Sequence, residues 1–339
     1  MFELKLKWQN LLIKRRLRRN KEKVSGQVRE SSLFNVASIS LLKLLLLCIF
    51  GVIILFPFFL MISFSFFSWK EAENLSNDFR ILPSFDPSYF KIDNKDVLLT
   101  WSEGIKFNYM TAINNEGYWT AVGLTSLNVL LSVVLKVFIT ILMGYAFSLR
   151  NWRGKEFIWF CALALLVLPE VALLSGQYKV VRDTHMNETT VGFLFTIALP
   201  FVASIFNATM YKNAFESIPG RIKEVALVDG AVGAKYLFKI AIPMVTPTTW
   251  TIVILTAIAS WNTYLWASIV VFGDSDSLKV VSVWLFKAGL VYYGEEQATL
   301  QSIKMAGAIL VNIPMFLAYF IFRKRIMNAV SRQGSTIKG

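Results

Sequence analysis

Eight residues with chemistry to offer stand within or beside long apolar runs: Asn128, Lys136, Glu170, Asn207, Trp261, Asn262, Tyr264 and Asn312. Hydroxyl-rich solutes are bound by planar polar groups together with an aromatic face, and this set supplies both kinds. Hydrogen bonds between membrane helices use the same side chains, so each residue carries a second, structural reading. Lys136 falls near the middle of its run and Glu170 in the outer half of the next. A charge at that depth is costly and must face a bundle interior or a wet cavity. Consecutive spans pack side by side, so an ion pair between the two is the structural reading and contact with a polar solute the functional one. No catalytic residues and no metal site are expected. His185 is the single histidine and lies in a loop, while Cys48 and Cys161 both sit inside apolar runs, which argues against a disulfide or a metal set.

The elements that must position these residues are membrane helices. The chain has 339 residues, 55% of them hydrophobic, and a mean hydropathy of +0.53, too apolar for a soluble domain of this size. Its apolar residues gather in runs of about 20 or more, enough to cross about 30 Å of hydrocarbon. We read an all-α polytopic membrane protein with six spans, within 41–67, 119–149, 157–175, 191–210, 248–272 and 303–322. Of the 35 Lys and Arg, 23 fall on the segments this threading places inside and 9 on those outside. That bias puts both termini in the cytoplasm, and it explains the net charge of +13 without a nucleic-acid partner.

The resulting organisation is a basic cytoplasmic tail (1–35), a first span (36–69), an extracellular segment (70–117), a five-span core (118–322) and a cytoplasmic tail (323–339). In the first tail Leu4, Trp8, Leu11 and Leu12 form an apolar stripe among basic residues. It reads either as a helix on the anionic leaflet or as a positive tail that only fixes orientation. The first apolar run follows about 35 polar residues and has no small-residue cleavage site, so no cleaved secretory signal is expected. Pro83, Pro87, Tyr89, Trp101, Phe107 and Tyr109 anchor the 70–117 segment, where short interfacial helices are expected. Asn187-Glu-Thr189 forms a sequon that we read as chance.

Within the core, the polar segment 211–247 contains Glu224-Val-Ala226-Leu-Val-Asp229-Gly230, then nine residues, then Ile240-Ala-Ile-Pro243. Ser217 and Pro219 suit the start of a short helix, and Gly230 suits its left-handed end. A second short helix is expected over 232–240, broken by Pro243 and Pro247. The small residues Ala226, Gly230, Ala231 and Ala234 allow close approach by a partner surface.

This spacing resembles the EAA loop of ABC importer permeases: Glu-Ala-Ala, three residues, Gly, nine residues, Ile-x-Leu-Pro. Val225 and Ile242 replace the second Ala and the Leu. Asp229-Gly230-Ala231, Gly144-Tyr-Ala-Phe with Arg150, Trp261-Asn262-Thr-Tyr264, Pro314 and the ending Ser335-Thr-Ile-Lys338-Gly339 resemble the carbohydrate-uptake branch. The ending points to its MalG-type member. The resemblance covers residues 118–339 and implies a type I ABC importer permease fold in the cell membrane. It implies a MalF-like permease as heterodimer partner, two cytoplasmic ABC ATPases and an extracellular solute-binding protein. It also implies that Glu224, Ala226, Asp229, Gly230, Ile240 and Pro243 couple the spans to the ATPase. No cofactor is expected on this chain, and ATP with Mg belongs to the ATPase, since the sequence lacks G-x-x-x-x-G-K-[ST]. The solute implied is a mono- or oligosaccharide or glycerol phosphate; a non-sugar solute is the alternative within the class. An intramembrane lipid or polyprenyl-phosphate transferase is the rival from another class. It needs clustered Asp, His or Arg at a membrane face, and no Asp lies in any predicted span. A passive channel has no filter-like segment to support it.

Overall fold

The computed structural model describes residues 13–14, 33–75, 77–92, 95–114, 117–149, 152–271, 278–293 and 296–335. The amphipathic stripe of the N-terminal tail and the terminal Lys338-Gly339 lie outside them. The chain divides into two compact units, 1–59 and 60–339. The described part of the first unit is chiefly the beginning of helix α1, Leu33–Ser65. Apolar side chains cover that part on all sides and stay exposed, as on a helix that faces lipid or another chain.

In the second unit α1 ends in a turn to α2 (Trp69–Glu73). There Ser68 and Glu71 form a reciprocal capping box, each satisfying a backbone N–H of the other. A hairpin follows, β1 (Ser88–Ile92) antiparallel to β2 (Lys95–Leu99), with Ser88 opposite Leu99. Helix α3 (Trp101–Asn114) closes the segment. The expected short helices are therefore present, with a hairpin between them. Asn108 on α3 is fully buried and donates to the carbonyls of Ser65 (3.1 Å) and Phe67 (2.9 Å), tying α3 to the end of α1.

Helix α4 (Tyr118–Ser148) is the hub. The succeeding elements are α5 (Lys155–Ala164), α6 (Glu170–Thr184), α7 (Thr190–Ala198) and α8 (Ile205–Glu216). Then come α9 (Gly220–Val228), α10 (Ala234–Tyr236), a π-helical turn (Leu237–Ala241), α11 (Ile242–Met244), α12 (Thr246–Trp261) and α13 (Leu265–Val270). The chain closes with α14 (Val281–Lys287), the hairpin β3 (Leu290–Tyr293) and β4 (Glu296–Thr299), and α15 (Gln301–Ser335). Helices α7, α8, α12 and α14 pack on α4, and α15 packs on α2, α3, α12 and α14.

Three of the described helices are long and apolar enough to cross a membrane: 37–65, 118–148 and 301–324. Three bent pairs raise the number to as many as six if each is one span. The third and fourth runs, expected as single helices, are such pairs. The third turns by 99° between 155–167 and 171–184, and the fourth by 61° between 190–201 and 205–216. Pro169 caps α6 and Pro200 occupies the 3₁₀ turn Leu199–Phe201; each lacks the N–H that a continuous helix needs.

Helices α4 and α8 approach each other closely at Gly144 on α4. A β-carbon there would collide with Tyr211 Cβ and lie 2.9 Å from both the Ala208 carbonyl and the Lys212 nitrogen of α8. Below this crossing lies a core of Ile141, Tyr211, Phe215, Ile218, Leu237, Ala241, Val245 and Ile252. It joins α4 and α8 to the turn that leads into α12.

Candidate functional site

Beside α4 the bundle leaves a cavity of about 550 Å³. Asn128, Ser132 and Lys136 line one wall. Their four-residue spacing puts them on one face of α4, over about 12 Å of rise. Asn262, Thr263 and Tyr264, where the chain leaves α12, also line it, with Ser260, Val171, Ile197, Phe201 and Trp266 among the remaining residues. Asn128 is 1% exposed, and its amide oxygen has no partner among the described residues. A buried acceptor without a donor is costly.

Four of the eight residues singled out in the sequence thus share one cavity: Asn128, Lys136, Asn262 and Tyr264. The other four are placed differently. Trp261 is 8% exposed within a core cluster with Tyr118, Ala121, Val281, Trp284, Ala288 and Val311. Asn207 is buried on α8 without lining the cavity. Asn312 donates to the Ala308 carbonyl at 2.8 Å on its own helix. Glu170 opens α6, next to the cavity residue Val171. Its side chain lies outside the described residues, and the expected pair with Lys136 lies outside them too. Ser132 escaped notice because an isolated serine in an apolar run carries no signal; only its spacing from Asn128 and Lys136 does.

The second site is the elbow. Pro219 rather than Ser217 precedes the first turn of α9. Ser217 closes α8 instead, donating its hydroxyl to Ala214 O at 2.7 Å. Helix α9 ends at Asp229 and Gly230, whose φ is +67°. Gly230 N–H donates to Leu227 O (3.1 Å) and Ala231 N–H to Ala226 O (2.8 Å), the paired closure of a Schellman motif. Pro243 does not break the second helix. It sits in the first turn of α11, where its missing N–H costs little. The chain bends at Val245 instead, by 72° into α12. The elbow's inner side, Ala226, Leu237, Ala241 and Val245, is buried, and Ile240 is half-buried. Its outer side exposes Glu224, Asp229, Val225, Leu227 and Val228, the last 88% exposed.

Outside the spans, burial favours a raised pKa for Glu71. Hydrogen bonds from Ser84 and Ser68 outweigh it and hold this carboxyl below its ordinary value. Among the described residues no three His, Cys, Asp or Glu side chains gather as a metal set would.

The bundle thus combines bent helix pairs, a largely apolar cavity with a few polar groups beside α4, and an exposed elbow. Over residues 136–330 the chain matches the family described as binding-protein-dependent transport system inner membrane components. It belongs to that family, the permeases of ABC importers, and is a multi-pass protein of the cell membrane. It is 39% identical over 345 residues to a probable ABC transporter permease protein of Mycoplasma pneumoniae, with 100% of both chains covered. It is 23% identical to the arabinooligosaccharide transport permease of Halalkalibacterium halodurans, covering 83% of this chain and 96% of that one. For the lactose transport permease of Rhizobium radiobacter the identity is 24%, with 63% and 72% covered. A solved bacterial ABC transporter for alginate import shares the fold, with a TM-score of 0.62, 22% identity and 89% and 99% covered.

Proposed function

We propose that this chain is the MalG-type half of a carbohydrate importer and that it carries a mono- or oligosaccharide, or glycerol phosphate, through the cavity beside α4. The observation that carries the proposal is the lining itself. Amides (Asn128, Asn262), hydroxyls (Ser132, Thr263), a cation (Lys136) and an aromatic ring (Tyr264) surround one volume of about 550 Å³, the mixture of polar groups and flat apolar surface that sugars require. Relatives named for arabinooligosaccharides and lactose support the same solute class.

In this reading the chain has six spans with both termini in the cytoplasm. It pairs with a MalF-like permease and receives solute from an extracellular binding protein. Two cytoplasmic ATPases hold ATP and Mg, and the elbow docks in a cleft of one of them. Glu224 is a charged contact there and Gly230 the point of closest approach. ATP binds more tightly to the closed ATPase, and that difference drives alternating access.

The test is reconstitution of the importer in vesicles, with uptake of radiolabelled sugars measured with and without ATP. Cysteines placed at residues 95 and 228 should label from the outside and the inside respectively. Labelling of both from one side refutes the topology, and ATP-driven uptake of only non-carbohydrate solutes refutes the solute class.

A further inference from the structure

Resting on the carbohydrate reading, we infer that Tyr264 is a ring-stacking subsite for a pyranose or furanose face, and that Phe286 and Ser282 on the outer helix α14 are its positioning residues. Tyr264 is one wall of the cavity and is 37% exposed. Its ring stacks on Phe286 with centroids 4.1 Å apart and planes at 21°. A parallel stack covers one face of a ring and leaves the other uncovered by Phe286.

The support under Tyr264 is built from both sides. Ser282 donates its hydroxyl to the carbonyl of Thr263, the residue before Tyr264. Ser282 and Phe286 are four apart on α14, so one face of that helix grips Thr263 through hydrogen bonding and Tyr264 through stacking. Helix α14 is itself pinned to α4, since Val281 N–H donates to the buried Thr125 hydroxyl at 2.8 Å. The ammonium of Lys304 on α15 lies 5.6 Å from the Phe286 ring centroid, within reach of a cation–π attraction. The Asn128–Ser132–Lys136 stripe of the same cavity adds an amide, a hydroxyl and a cation. A solute that meets both has an apolar face on Tyr264 and hydroxyls on the stripe, which is the two-sided polarity of a sugar ring. An open-chain polyol has hydroxyls but no flat face to stack.

The experiment uses the complete importer, with partner permease, ATPases and binding protein, in proteoliposomes supplied with radiolabelled glucosides, galactosides and arabinosides. For the sugar it carries, Tyr264→Ala and Phe286→Ala should each lower turnover about five- to tenfold, the size of an aromatic stacking contribution. Phe286→Tyr should restore it. The double variant should be no slower than Tyr264→Ala, because Phe286 acts through that ring. Thermal stability in detergent should be unchanged in Phe286→Ala and Phe286→Tyr, which separates positioning from unfolding. Undiminished turnover in Tyr264→Ala overturns the subsite while leaving the importer a sugar importer. Additive losses, or loss of stability in Phe286→Ala alone, overturn the positioning role. ATP-driven uptake of only non-carbohydrate solutes by the unaltered importer overturns the carbohydrate reading and the subsite with it.

Discussion

Gly144→Ala tests whether the crossing of α4 and α8 is as close as described. The added carbon would overlap Tyr211 Cβ and stand 2.9 Å from the Ala208 carbonyl and the Lys212 nitrogen. Ordinary contact is about 3.5–4.0 Å, so the helices must part by about 0.6 Å or more. All three neighbours are backbone atoms or a β-carbon, so no rotamer change relieves the clash. Overpacking of this kind costs about 1–3 kcal/mol, and here the upper end applies because whole helices must move. Replacing a helical glycine by alanine returns about 1 kcal/mol of propensity. The net expectation is a loss of about 1–2 kcal/mol. Gly123→Ala on the same helix is the control: its β-carbon meets nothing within 4 Å, so only the propensity gain remains. Thermal unfolding of the two purified variants, followed by size-exclusion fluorescence, should place Gly144→Ala below the unaltered permease and Gly123→Ala at or above it. Equal stability of the two variants would refute the close crossing.

At the elbow, Gly230→Ala forces a side chain into a left-handed conformation at a cost of about 1–2 kcal/mol, although the chain itself leaves room for it. Together with Glu224→Ala it should leave insertion and partner assembly intact while abolishing solute-stimulated ATP hydrolysis; full transport by Gly230→Trp would remove the elbow from the coupling path. Asn108→Ala leaves the carbonyls of Ser65 and Phe67 without their donor and should cost about 1–3 kcal/mol, read as a lowered Tm and faster proteolysis of the 70–117 segment. Glu71 has a folded-state pKa below the unfolded value of about 4.5. Its stabilising contribution is therefore complete above that pH and lost as pH falls through the folded value. Acid unfolding of Glu71→Gln should be flatter in this window, and identical profiles would count against the Ser68–Ser84 network.

The spans were legible because twenty-residue apolar runs have few other uses, and Gly230 because a left-handed helix end selects glycine. The bends were less so. Pro200 and Pro169 are visible in the sequence, but a proline in a membrane run fits a kink and a full break alike, and only neighbours decide. The 88–99 hairpin hid behind aromatic residues that read as interfacial anchors. Ser217 looked like a cap for the helix after it, and its hydroxyl turned back to Ala214. Trp261 and Tyr264 sit three apart in one polar–aromatic string, yet one is a core residue and the other a cavity wall, a separation set by the end of α12 at Trp261. The grip of α14 on Thr263 and Tyr264 joins positions about twenty residues apart, which no local pattern announces.

Helix α4 carries a mechanical consequence. Its 31 residues make a rod about 46 Å long, with no proline to bend it. Ile141 near one end is packed with Leu237 and Ala241 of the elbow, Asn128 to Lys136 face the cavity, and Thr125 near the other end holds α14. A stiff rod gripped near both ends, with a cavity wall between, acts as a lever. A tilt of about 5° about its inner end carries the outer end through about 4 Å, comparable to the radius of a sugar ring. In the proposed transport cycle, small strokes at the elbow would be geared into displacements large enough to open or shut a passage, with no hinge inside the helix.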